Sequence, residues 1–261
     1  MENKKNIIAI IPARGGSKSI PRKNIKYLGG CPLISYSIAA GLSSDYIDRV
    51  IVSTDDEEIA EIALYWGAEV PFIRPAELAE DHVLDLPVFD HAIHWLETNE
   101  KYRPDIVVQL RPTTPFRPIN CVDEAIELLM QSNADSVRGV TPSGQNPYKM
   151  WHVKDNRMVP IMATEFKEPY NMPRQKLPAT FWQTGHVEAI RYETIMHKHS
   201  LTGDSIAPLI IAPEYSIDLD NEFQWEFAEY VLEHMELQIV HPNELFLDQR
   251  KLGSSIASPV W

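Results

Sequence analysis

Short runs rich in isoleucine and valine alternate along the chain with stretches whose apolar residues recur every three to four positions. That alternation leaves few architectures open. Successive strand and helix units of this kind build a mostly parallel sheet with helices packed on its faces. Strands are expected at residues 7–11, 49–53, 69–73, 105–110, 136–140, 185–191 and 208–212, and helices at about 32–42, 57–66, 86–97, 120–131 and 222–233. Before the second helix, Thr54-Asp55-Asp56 offers short side-chain oxygens to the free N–H groups of the first turn. The pattern degrades between residues 141 and 184 into Pro, Asn, Gln and aromatic residues, so this stretch is expected to form an arm or lid. One domain is expected over residues 1–240, followed by a tail, residues 241–261, that has no clear period.

The chain has 261 residues, 44% of them hydrophobic, enough for one large α/β core. Two cysteines, Cys31 and Cys121, are too few for a disulfide scaffold. No apolar run approaches the roughly 20 residues of a membrane helix. The N-terminal stretch lacks the features of a signal peptide, so a cytoplasmic location is expected. A net charge of −13 argues against nucleic acid as a partner, because phosphate contacts need basic surface. The distribution of charge is more informative. Residues 3–30 hold seven Lys or Arg and no acid, whereas residues 201–249 hold eleven acids and no Lys or Arg.

The basic stretch includes Ala13-Arg14-Gly15-Gly16-Ser17-Lys18-Ser19-Ile20-Pro21-Arg22-Lys23-Asn24, directly after the first strand. Ligands of open α/β sheets bind beyond the carboxyl ends of strands. Glycines allow close backbone approach, Arg14 offers a planar fork, and Lys18 and Lys23 supply point charges, a set that suits a polyphosphate. The spacing matches neither a Rossmann dinucleotide fingerprint nor a Walker P-loop. In the acidic stretch, Asp218-Leu219-Asp220 puts two carboxylates on one side of an extended segment, suited to sharing Mg²⁺ with substrate phosphates. A plainer reading makes Asp220 a helix cap. A third segment, Leu110-Arg111-Pro112-Thr113-Thr114-Pro115-Phe116-Arg117, also follows a strand end. Its hydroxyls and two guanidiniums suit a ribose, base or sugar carboxylate. Pro173-Arg174-Gln175 in the arm offers another anion clamp, and His186 is the one histidine singled out as a site residue; no zinc spacing is present.

In this order the segments resemble the acylneuraminate cytidylyltransferase family over roughly residues 6–235. The matching pieces are IIAIIPARGGSKSIPRKN, RVIVSTDDEEIAEIALYWGAEVPFIRPAELAED, RPTTPFR where the family has QPTSPLR, MPRQKLP, and SIDLDNEFQWEFAE. The resemblance implies a Rossmann-like α/β nucleotidyltransferase, a homodimer whose arm reaches toward the partner, with Mg²⁺ as cofactor. It implies attack by a sugar's anomeric hydroxyl on the α-phosphorus of a nucleoside triphosphate, with release of pyrophosphate. Ala13, Arg14, Gly15, Gly16, Ser17, Lys18, Lys23 and Asn24 fall on the family's nucleotide loop, joined by Pro112 and Thr113. Asp218 and Asp220 fall on the metal pair, and Arg174 on an arm arginine near the sugar. Arg14, Lys23, Asp218 and Asp220 are the expected catalytic residues, Asp218 also being a candidate to take the hydroxyl proton.

The chain departs from the family pattern where the sugar is chosen. Arg111 replaces a glutamine, Leu84 and Asp85 replace serines, and the stretch from Phe181 to Glu188 reads FWQTGHVE instead of YRPNGAIY. Arg111, Thr114, Gln183, Thr184 and His186 are therefore expected at the sugar. A cytidylyltransferase for a sialic-acid-like keto-sugar acid is the leading reading. The runner-up is a sugar-1-phosphate nucleotidyltransferase using, for example, GTP, which an added Arg111 would suit. A sensing protein without turnover would need a broken loop or acid pair, and a glycosyltransferase would not need the basic loop.

Overall fold

Strand β1 (Ile7–Pro12) is apolar on both faces and lies inside the sheet. Ile7, Ala9 and Ile11 join one hydrophobic cluster and Ile8 and Ile10 another, all of them at most 2% exposed. Alternate residues of a strand point to opposite faces, so a continuous apolar run demands cover on both sides. The computed structural model describes residues 4–245; the expected tail beyond residue 245 lies outside the described residues.

After β1 a long loop leads through the short antiparallel pair β2 (Tyr27–Leu28) and β3 (Cys31–Pro32) into helix α1 (Leu33–Leu42). Then come β4 (Arg49–Ser53), α2 (Glu57–Tyr65), α3 (Asp85–Trp95), β5 (Ile106–Gln109), α4 (Cys121–Gln131) and β6 (Ser136–Pro142). The hairpin β7 (Trp151–Lys154) and β8 (Arg157–Pro160) precedes β9 (Phe181–Arg191) and α5 (Tyr192–Met196). Strand β10 (Ile206–Ile210) and helix α6 (Glu222–His234) follow.

The main sheet has the order β10-β6-β9-β5-β1-β4. Strands β4 and β5 run parallel to β1, and β10 runs parallel to β6; only β9 is antiparallel to its neighbours. The expected mostly parallel α/β sheet is what forms.

Local chemistry sets the helices. Asp56 accepts the Ile59 N–H at 3.0 Å as the cap of α2, and Glu57 and Glu58 complement the positive end of the helix. In α4, Val122, Ala125, Ile126 and Leu129 form one buried stripe at helical spacing. Helices α1, α2 and α4 cover one face of the sheet and α3 and α5 the other. Each fully buried aliphatic side chain contributes about 1.5–3 kcal/mol by leaving water.

Four expectations are corrected. Residues 69–73 form no strand, only a bridge between Ile51 and Glu69, because Pro71 lacks the N–H that a ladder needs. The last strand lies two residues earlier than expected, since its register on β6 runs from Ile206 opposite Ser136 to Ile210 opposite Val140; Pro208 is tolerated because β10 is an edge strand. The arm is shorter than residues 141–184, because β6 extends to Pro142 and β9 starts at Phe181. It contains an unexpected hairpin whose turn residues, Asp155 and Asn156, have φ of 49° and 58°, the left-handed pair a two-residue hairpin turn requires. Among the described residues no helix is long and apolar enough to cross a membrane.

Candidate active site

Because β1, β4 and β5 are parallel, their carboxyl ends reach the same edge of the sheet. There the loop after β1, the segment before α3 and the turn after β5 enclose an open cleft of about 450 Å³. Arg14, Ser17, Lys18, Lys23, Asn24, Arg111, Pro112, Thr113 and Asp220 line it. The basic loop and the acidic segment, far apart in sequence, thus share one cavity.

The loop is built on the segment that caps α2. Asp55 accepts the Gly15 N–H at 3.0 Å, and Ala13 donates its N–H to the Ser53 carbonyl at 3.0 Å. Asp56, besides capping α2, pairs with Arg22. That pair leaves no room at Gly15, where an added Cβ would stand 2.6 Å from Asp56 Oδ2, whereas Gly16 faces open space. Asn24 closes the loop by donating to the Arg14 carbonyl at 2.9 Å. Arg14 and Lys18 both reach across to Asp81, Arg14 Nη1 at 2.9 Å. Lys23, only 8% exposed, donates to the Leu219 carbonyl at 2.7 Å and lies 3.4 Å from Asp220 Oδ1.

The acidic segment is fixed from both sides. Leu219 donates its N–H to the Thr113 carbonyl at 2.9 Å. Gln224 Oε1 accepts the N–H groups of Asp220 and Asn221, and Asn221, not Asp220, caps α6. Asp220 is therefore free of the capping role. Burial raises the Asp218 carboxyl above the usual carboxylate range, and the neighbouring charge of Asp220 adds to this against a Thr113 hydrogen bond. Asp218 Oδ1 is buried without a hydrogen-bond partner.

An orphaned carboxylate oxygen beside a second, repelling carboxylate is the donor set a hard divalent cation satisfies. No group of three or more metal-ligating side chains occurs among the described residues. Two carboxylates suit Mg²⁺, which usually completes its shell with water and substrate phosphate.

Other expected site residues fall elsewhere. Thr114 is buried beneath the cleft wall. Thr184 is 4% exposed and His186 is fully buried, its Nε2 3.0 Å from the Tyr215 carbonyl. Gln183 is exposed and donates to Glu188 Oε1 at 3.2 Å. Arg174 lies on the arm and donates to the Ser143 carbonyl. None of these five lines the cleft. Arg117, read in the sequence as a second ligand-gripping guanidinium, is 1% exposed and donates to the His186 carbonyl at 2.6 Å and the Arg111 carbonyl at 2.5 Å, so its work is to hold the turn.

Sequence reasoning missed Arg74. It lines the cleft at 4% exposure, donates to the Ser53 carbonyl at 2.8 Å, and makes no ion pair among the described residues, its Nε lacking a partner. Burial pulls its pKa below the usual arginine value despite the pull of Asp55. Its signal was a lone arginine between an apolar run and Pro75. Asp85, noted only as a departure from the family pattern, also lines the cleft.

The profile of the cytidylyltransferase family matches residues 8–224. A pseudaminic acid cytidylyltransferase of Campylobacter jejuni is 39% identical over 153 residues, covering 58% of this chain and 65% of that protein. A CMP-N,N'-diacetyllegionaminic acid synthase of Legionella pneumophila is 30% identical over 230 residues, covering 87% of this chain and 96% of that protein. Among solved structures, CMP:2-keto-3-deoxy-manno-octonic acid synthetase complexed with CTP superposes with a TM-score of 0.65 at 16% identity, over 87% of this chain and 98% of that one. This last likeness concerns the fold.

Proposed function

Since the chain belongs to the cytidylyltransferase family, we propose that it joins CMP from CTP to the anomeric hydroxyl of a sialic-acid-like keto-sugar acid and releases pyrophosphate. The observation that carries this reading is the meeting of the basic loop and the acidic segment in one cleft, through Lys23 and Asp220, with Asp218 two residues away. The two relatives named above, a pseudaminic acid cytidylyltransferase and a CMP-N,N'-diacetyllegionaminic acid synthase, supply the substrate class. They do not favour the runner-up, a sugar-1-phosphate enzyme using another nucleotide.

In this reading Arg14, Ser17, Lys18 and Lys23 bind the triphosphate, with the loop backbone at Gly15 and Gly16 close to it and Asn24 holding the loop shut. Fixed cationic donors stabilise charge that develops on the phosphates during transfer, the place where phosphoryl-type reactions gain most. Pro112, Thr113 and the buried Arg74 form the nucleoside side of the cleft, and Arg111 the sugar side. Thr114 and Thr184 act from beneath that wall, with His186 and Gln183 supporting it.

Asp218 and Asp220 would hold Mg²⁺. When bound, the cation offsets the repulsion between the acid pair and the phosphates and polarises a phosphoryl oxygen. We further propose a cytoplasmic homodimer assembled through the arm. Exposed apolar side chains on the hairpin and the start of β9, such as Val153, Met158 and Trp182, support the arm's part in this, and two free, buried cysteines support the compartment.

The test is pyrophosphate release from CTP with a set of acidic keto-sugars, with Mg²⁺ and with chelator. The reading expects release that needs both the sugar and the cation. Release that persists in chelator would remove the metal from it.

A further inference from the structure

The four cations between residues 14 and 23 are not held alike. Arg22 is engaged by Asp56 and Glu58, and Lys23, only 8% exposed, by the Leu219 carbonyl and Asp220. Arg14 and Lys18 instead reach across the cleft to a single acid, Asp81, on the segment that leads into α3. Arg14 Nη1 lies 2.9 Å from Asp81 Oδ1 and 3.4 Å from the Ala79 carbonyl, and Lys18 Nζ takes the other carboxylate oxygen. All three side chains line the cleft.

Asp81 has no other task. It caps no helix, since Leu84 precedes the first turn of α3, and among the described residues its carboxylate has no partner besides these two cations. The Lys18 ammonium, helped by Arg14, holds that carboxyl below the usual carboxylate range, so it carries its charge. The three side chains stay wet, with exposures of 44% for Asp81, 35% for Arg14 and 80% for Lys18. Exposed pairs of this kind are weak. A carboxylate and a phosphate take the same donors, an edge of the arginine fork and an ammonium proton, and a polyphosphate carries more charge. The acid therefore competes with a polyphosphate for Arg14 and Lys18, and yields to it.

We propose that Asp81 is a positioning residue that stands in for phosphate: it holds Arg14 and Lys18 before the triphosphate arrives, gives them up to it, and takes them back as pyrophosphate leaves. The proposal rests on the cytidylyltransferase reading. A group fixed beside the cations acts at high effective concentration. Its competition lowers the apparent affinity of every phosphate ligand by the fraction of the cations that it holds. Pyrophosphate release gains most from such a competitor, because the transfer leaves a highly charged product on the same cations, and product release limits turnover in many enzymes.

The test measures binding of inorganic pyrophosphate in the presence of Mg²⁺ by isothermal titration calorimetry, with CTP kinetics beside it, for wild type, Asp81→Asn and Asp81→Glu, folding being checked by circular dichroism. Asp81→Asn is expected to bind pyrophosphate at least threefold tighter, to lower the CTP KM at least threefold and to lower kcat at least twofold, whereas Asp81→Glu stays within twofold of wild type. In a Lys18→Met background the gain from Asp81→Asn is expected to shrink, because one of the two contested cations is gone. Pyrophosphate that binds no tighter to Asp81→Asn, a higher CTP KM, or a gain of the same size without Lys18 overturns the proposal, since a residue that only braced the loop would weaken phosphate binding when removed. Calorimetry needs no turnover. A wild type that binds pyrophosphate yet releases none from CTP with any keto-sugar acid overturns the activity reading, while the Asp81→Asn binding comparison still decides for or against the proposal.

Discussion

Lys23 Nζ stands 3.4 Å from Asp220 Oδ1 across 197 positions of sequence. The lysine is buried and the aspartate mostly exposed, with side-chain exposures of 10% and 65%. A pair so wet on one side contributes about 0–1 kcal/mol to stability. Its value lies in placement, because the same ammonium holds the Leu219 carbonyl and so fixes the acidic segment against the basic loop.

Lys23→Met keeps the volume and removes the charge. We expect at least a hundredfold fall in kcat/KM for CTP, with thermal unfolding changed by only a few degrees. Steady-state pyrophosphate release beside a melting curve checks both; a variant with native activity would detach Lys23 from the chemistry.

Asp220→Ala should abolish turnover and leave the fold intact, since the side chain is exposed and α6 is capped by Asn221. Surface changes away from such caps usually stay within about 0.5 kcal/mol. An active Asp220→Ala enzyme would remove the acid pair from metal binding.

The two glycines of the loop should behave differently. Gly15→Ala pushes a Cβ against Asp56 and disturbs its pairing with Arg22, at an expected stability cost of about 1–3 kcal/mol and with a clear rise in the CTP KM. Gly16→Ala meets nothing within 4 Å and should change stability by less than about 0.5 kcal/mol. Urea unfolding and CTP kinetics of the pair read this difference; equal effects would contradict the packing.

Burial, reinforced by the charge of Arg117, lowers the His186 pKa from 6.5 to about 4, against the hydrogen bond to the Tyr215 carbonyl. The folded state therefore favours the neutral ring. Its contribution is complete above pH 6.5, declines as the pH falls through that value, and is lost by about pH 4. A shift of this size corresponds to about 3 kcal/mol. Denaturant unfolding at pH 7, 5.5 and 4 should show wild type losing more stability on acidification than His186→Gln, and parallel losses would refute the assignment.

What could be read in the sequence was what local chemistry determines. The loop from Ala13 to Asn24 follows a strand and carries its glycines and cations together, and Asp56 announces a helix cap by itself. The acid pair was legible because its two carboxylates lie two residues apart. Contacts set by strand register were hidden. Glu188 meets Arg138 and Gln109 only because β9 runs antiparallel between β5 and β6. Arg117 reads as a ligand-gripping guanidinium until the carbonyls of Arg111 and His186 converge on it. Helix α5, five residues long, is too short to show a period, and the strand expected at residues 69–73 was an apolar run interrupted by Pro71.

Transfer of CMP to a keto-sugar acid in this cleft has a distinctive product. Mass spectrometry identifies it among the products from CTP, GTP, UTP and ATP, each incubated with Mg²⁺ and either keto-sugar acids or sugar 1-phosphates. The expected result is a CMP-sugar, formed with one pyrophosphate per molecule, from CTP and a keto-sugar acid. A nucleoside diphosphate sugar made from a sugar 1-phosphate would assign the cleft to the other reaction.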